Sequence, residues 1–126
     1  MPDVELVDVE AFVIPFLNAR NAESPAATKV PAARPKRFTR AWRTGGAAEN
    51  RVLDVPVITV SCAAPDAVTA AADAATARHA LLNEYTAMPL VRSVSVFSGP
   101  YYDPDPDTNE DRYTFAVRLR VRGARR

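Results

Sequence analysis

A single cysteine, Cys62, and a single histidine, His79, stand among 126 residues. One thiol excludes an internal disulfide framework, and one imidazole leaves no Cys/His cluster for a structural zinc. No apolar run approaches the roughly 18 residues that a membrane-spanning helix needs. Net charge is scarce too, because 16 basic residues oppose 15 acids for a balance of +1 at pH 7. That balance argues against a strongly basic nucleic-acid binder and against an acidic solvating tail. Near the N-terminus, Asp3, Glu5, Asp8 and Glu10 stand where a secretory signal needs basic residues. The expectation is a soluble protein without a membrane partner.

What is present is an ordinary globular mixture, 48% hydrophobic and 25% charged. A chain of this length makes one domain, 1–126, and buries roughly two-thirds of the surface its extended form exposes. Arginine outnumbers lysine 14 to 2, and arginine is the better residue for planar, two-pronged contacts at interfaces. The near-neutral total hides segregation. Lys29, Arg34, Lys36, Arg37, Arg40, Arg43 and Arg51 share their stretch with one acid, Glu49. Five acids and no base occupy Asp103 to Asp111, and six arginines and no acid follow from Arg112 to the end. Opposite blocks in one chain suit a self-associating ring in which one edge meets the other edge of a neighbour. They also suit a solvated loop and a solvated strand face.

The pattern predicts a first helix over 3–17, with Asp3 as N-cap and Glu5 in its first turn. Leu6, Val9, Val13, Phe16 and Leu17 form one apolar stripe, while Val4, Val7, Ala11 and Ile14 form a second. Pro15 is expected to kink or end this helix near Ile14. A proline-punctuated connection follows, with a short edge strand around Thr28–Val30. Phe38 to Arg43 alternates as a strand closing in a turn at Gly45-Gly46, and residues 52–62 form the next strand. Pro56 within it demands an edge or a bulge. Alanine-rich Asp66 to Met88 reads as the second helix, with Val68, Ala71, Ala72, Ala75, Leu82 and Tyr85 or Thr86 on one stripe. Residues 92–98 and 112–122 form a hairpin, broken at Gly99-Pro100 and joined by a long acidic loop. In the last strand Tyr113, Phe115, Val117, Leu119 and Val121 alternate with Thr114, Ala116, Arg118, Arg120 and Arg122. The fold class is α+β, a mostly antiparallel sheet of four or five strands packed by two helices.

No catalytic set emerges, and no cofactor or metal is expected. Cys62 and His79 lack any context that marks a nucleophile or base. Asp103, Asp105 and Asp107 have the alternate spacing of a calcium loop, but Thr108 and Thr114 replace its glycine and glutamate. Thr44-Gly45-Gly46-Ala47 lacks the lysine and the glycine spacing of a phosphate loop. The chain is therefore read as a non-enzyme. Arg118, Arg120 and Arg122 are open to three roles: a solvated face, cations lining a passage for nucleic acid, or partners of a neighbour's acidic loop. Their own strand face carries no aromatic residue, which argues against base stacking. Asp103, Asp105, Asp107, Arg37, Arg40 and Arg43 are the candidate interface residues.

One further pattern runs along the chain. A short acidic helix leads through Val30-Pro31 to a basic strand closing in Arg43-Thr44-Gly45-Gly46. A Val/Ile strand, an alanine-rich helix and a final hairpin follow. This order resembles the tail terminator proteins of long-tailed bacteriophages. The most specific piece is Ser98-Gly99-Pro100-Tyr101-Tyr102-Asp103-Pro104-Asp105-Pro106, followed by Arg112-Tyr113. The resemblance implies a ring-forming subunit, in a homohexamer that caps the tail tube and stops its polymerisation. It also implies a face for the head connector or stopper protein, DNA that passes through without specific binding, and a place at the head–tail junction of a virion assembled in the host cytoplasm. Another head–tail connector component and a small nucleic-acid-binding module remain the alternatives.

Overall fold

The computed structural model describes residues 4–5 and 8–125. Its main sheet has five strands: β2 (Ala26–Ala27), β3 (Phe38–Ala48), β4 (Leu53–Ala64), β5 (Val91–Tyr102) and β6 (Asp111–Arg122), in the order β2-β3-β4-β6-β5. β2 runs parallel to β3, and the other three pairings are antiparallel. The helices α1 (Glu10–Arg20) and α2 (Ala67–Asn83) cover one face of this sheet. A separate two-residue pair joins β1 (Val4–Glu5) to β7 (Ala124–Arg125). The α+β class and the sheet of five strands with two helices follow the expectation.

The core is built from the alternation of β6. Phe115, Val117, Leu119 and Val121 are buried against Ile58, Val60 and Cys62 of β4 and against both helices. Truncating a ring such as that of Phe115, 1% exposed, costs about 3–5 kcal/mol in cores of this kind. Val9, Val13, Phe16 and Leu17 complete the packing, so the first apolar stripe of the N-terminal region is the buried one. Leu6 and Val7 of the two stripes, and the Asp3 cap, lie outside the described residues.

Several local expectations are corrected. Helix α1 begins at Glu10, and Glu5 pairs in a strand with Ala124, so Glu5 does not lie in the first helical turn. β-branched Val4, Val7 and Val9 weaken helix nucleation there. Exposed Pro15 does not end α1, which continues to Arg20 because Phe16 and Leu17 are held in the core. That burial outweighs a proline cost of about 3 kcal/mol. The edge strand lies at Ala26–Ala27, two residues before its expected place.

Gly45-Gly46 makes no turn. β3 passes through both, with its register shifting between Arg43 and Gly45, and the chain reverses at residues 49–52. Gly46 has a φ of +83°, and a Cβ there would collide with the Val55 carbonyl oxygen. Pro56 pairs opposite Gly46 just past this bulge, on a strand that is central, so it lies neither at an edge nor in the bulge itself. Gly99-Pro100 likewise lies within β5, which bulges there and continues to Tyr102.

In α2 the buried face is Ala70, Asp73, Ala74, Ala77, Ala80 and Leu81, while Val68 is 80% exposed. With alanine on every side, the apolar pattern could not select a face. Leu81 and the charge of Asp73 decided it. α2 ends at Asn83, a 3₁₀ turn spans Tyr85–Ala87, and Pro89 lies beyond both. Asp66 is the N-cap itself, its carboxylate accepting the Thr69 backbone N–H at 2.7 Å.

Candidate docking surface

Of the bases before and within β3, Arg34, Arg37 and Arg43 pair with acids of their own chain. Arg37 donates through Nε and Nη2 to the two carboxylate oxygens of Asp73 at 2.8 and 2.7 Å, and through Nη1 to Glu23 at 2.7 Å. Its pKa is raised, chiefly by the hydrogen bonds to Asp73. Arg43 donates to both oxygens of Asp54 at 2.6 and 3.0 Å. Asp54 and Asp73 are buried, so both contacts neutralise charge that the interior would otherwise have to bear. Arg40 lies over the Trp42 ring, 3.9 Å from its centroid, and donates to the Thr28 carbonyl.

The acidic segment 103–110, which joins β5 to β6, also finds bases within the chain. Arg34 donates to Glu110 at 2.6 Å and to Asp105 at 2.9 Å. These bonds, that to Glu110 foremost, raise the Arg34 pKa. Asp103 accepts from Arg112 at 3.1 Å and from the Thr114 hydroxyl at 2.9 Å. Asp105 accepts the backbone N–H groups of Asp107 and Thr108, and the first of these leads in lowering its pKa. Of the three aspartates expected at an interface, exposed Asp107 is the one without an ion pair among the described residues. The pairing with Arg34 has no local sequence signal, because Arg34 is about seventy residues away.

The sheet face turned away from the helices carries the arginines of β6. Arg118, Arg120 and Arg122 are all exposed, as the alternation predicts. Arg120 donates to Glu49 at 2.6 Å. Arg118 lies over Phe97, 5.0 Å from the ring centroid. The expectation of an arginine face without aromatics is thus corrected. The ring comes from the neighbouring strand, which periodicity along β6 alone could not reveal. From Ser95 to Tyr102 every residue of β5 is exposed, including Val96 at 46%, Phe97 at 52%, Tyr101 at 50% and Tyr102 at 49%. The Tyr102 hydroxyl donates to Asp111 at 2.6 Å, which raises the phenol pKa.

The two borders of the sheet differ. At β2 the Asn18 amide acts as a substitute strand, accepting the Ala26 N–H at 2.8 Å and donating to the Ala26 carbonyl at 3.2 Å. Farther along, Glu10 accepts the Arg43 backbone N–H at 3.0 Å. The Arg43 guanidinium donates to the carbonyls of Gly45 and Gly46, each at 3.1 Å. Side chains thus occupy backbone groups that another chain would otherwise pair with. β5 has no such cover. Among the described residues, the ladder with β6 is the main-chain pairing of Arg92 to Tyr102.

Neither Cys62 nor His79 joins a reactive set. Cys62 is fully buried, and burial pushes its thiol up to about 12. His79 is exposed on α2 beside Asn83. Among the described residues, no group of three or more His, Cys, Asp and Glu side chains is placed to hold a metal ion. No described helix is long and apolar enough to cross a membrane. Compared with protein-family models and with curated proteins, the chain matches none.

Proposed function

We propose that this protein is a structural subunit that acts by fitting copies of itself onto a tubular scaffold, as a tail terminator does. The observation that carries the reading is the exposed stretch Val96–Tyr102, apolar and aromatic, at the border of the sheet. Patches of that kind on a small domain mark protein–protein surfaces. The same stretch runs into the motif Ser98–Pro106, the most specific part of the resemblance to phage tail terminators.

The mechanism is steric. Copies join head to tail through two different patches, one of them the aromatic half of β5, into a ring, which the resemblance makes a hexamer. Seated on the end of a tail tube, the ring removes the surface on which the next tube subunits would add. Its opposite face receives the head connector or stopper protein. Arg118 and Arg122, without an ion pair among the described residues, supply cations suited to a passage that duplex DNA crosses without specific binding. Arg40 and Asp107 remain candidates for contacts between subunits, whereas Arg37, Arg43, Asp103 and Asp105 are neutralised within the chain. No chemical step is required.

The test is to mix the purified protein with tail tubes and with filled heads, image which ends are decorated, and measure the assembled mass by native mass spectrometry. Rings at the head-proximal end of tubes, with elongation stopped, support the reading. Decoration of heads alone points to another connector component. A monomer that binds DNA with a steep salt slope and ignores both particles rejects it for a nucleic-acid module. Stacking of Arg40 on Trp42 and of Arg118 on Phe97 is the observation that favours that second reading.

A further inference from the structure

One border of the sheet is closed by side chains and the other is open. Asn18, Glu10 and Arg43 engage main-chain groups of β2 and β3, while the outer edge of β5 from Arg92 to Val96 meets no described partner. An unprotected edge of this kind is a template for one more strand. We propose that β5 accepts there, by main-chain pairing, an extended segment of a partner protein in which acidic and apolar residues alternate. The proposal goes beyond the ring reading and does not require it, since it rests on the edge and its charges.

The alternation is dictated by what lies on each face. Ser93 pairs with Arg120 and Ser95 with Arg118, so on the outer face two short hydroxyl side chains lie between the edge and two arginines, Arg120 engaged by Glu49 and Arg118 lying over Phe97. Strands are spaced by about 4.8 Å, so an added strand lies roughly 10 Å from β6. An acidic side chain and an extended arginine span that gap across a serine. Arg92 and Arg122, both exposed, add to the positive field, and among the described residues Glu49 on Arg120 is the one acid paired with these four. On the inner face the edge offers Val94 and Val96, half-buried and exposed, which call for apolar partners. Pairing of two β5 edges would instead bring two such arginine rows onto one continuous face, where like charges oppose association.

The probe is a short capped peptide alternating aspartate and valine, titrated at low salt into the isotope-labelled full-length protein. Controls are a lysine–valine peptide and two peptides N-methylated on alternate residues. Amide shifts confined to residues 92–97 are expected, with no binding of the lysine peptide. The N-methyl set that faces β5 should weaken binding by about tenfold or more. The double variant R118E/R120E should weaken the aspartate peptide and admit the lysine one. Absence of binding, shifts elsewhere, equal affinity for the lysine peptide, or indifference to both N-methyl sets would overturn the proposal. So would a dimer that protects the same β5 amides without peptide. None of these outcomes depends on tube binding.

Discussion

Arg37, just before β3, and Asp73, in the middle of α2, meet in a two-pronged contact at 2.8 and 2.7 Å. The Asn21 amide donates to the same carboxylate at 2.9 Å, so the end of α1 is tied into it. One buried carboxylate thus fixes the relative positions of both helices and the sheet. Removing one partner of such a pair strands the other's charge. Arg37→Ala is expected to lower the denaturation midpoint well beyond Lys36→Ala, whose side chain is exposed and without an ion pair among the described residues. Urea titrations of the two variants check this, and equal midpoints would contradict the role given to Asp73.

The adjacent glycines of β3 are not equivalent. Gly46 combines a φ of +83° with a backbone oxygen where its Cβ would sit, whereas nothing lies within 4 Å of a Cβ on Gly45. Gly46→Ala is expected to cost at least about 1–2 kcal/mol from the left-handed backbone alone, with the clash added. Gly45→Ala should be close to neutral. Paired denaturation curves of the two variants separate these outcomes.

Acid should loosen the α2 start and the 103–110 segment first. The Asp66 and Asp105 carboxyls are held below their ordinary value, the former chiefly by the Thr69 backbone N–H and the latter chiefly by that of Asp107. A lowered folded-state pKa contributes stability that is complete above the unfolded value, about 3.9, and is lost as pH falls through the folded one. Amide protection at residues 66–70 and 103–110, taken relative to the intrinsic exchange rate at each pH, should therefore fall below about pH 4. In D66N and D105N that acid response should diminish locally.

Cys62 is predicted to be inert in the native state. With its thiol pushed up to about 12 by burial, a thiol reagent at neutral pH should react at the rate of unfolding. Labelling that tracks denaturant-induced opening is the expected result. Fast labelling in native buffer would show that the core at β4 opens locally.

Asn18 tests the closed border. Asn18→Ala removes both bonds to Ala26 and exposes the β2 edge. Slow aggregation or added oligomers at high concentration, seen by light scattering, are expected while the circular dichroism spectrum stays native.

The period-2 pattern of β6 was enough to fix its core face and its arginine face, since a strand with one buried side admits a single register. The α+β class followed from the order of elements. Other features needed the folded chain. α2 has alanine on every side, so its buried face was settled by contacts with Leu81 and by Arg37 arriving at Asp73. Asp105 and Glu110 share a base, Arg34, that is remote in sequence, and Asp103 is met by Arg112 only because the strands of the hairpin fold back on each other. The contrast between a β2–β3 border closed by Asn18, Glu10 and Arg43 and an open β5 had no sequence signal at all. Hydrophobic periodicity is a local property of a segment. Which charges meet, and which edges are covered, depends on pairs that only tertiary packing brings together.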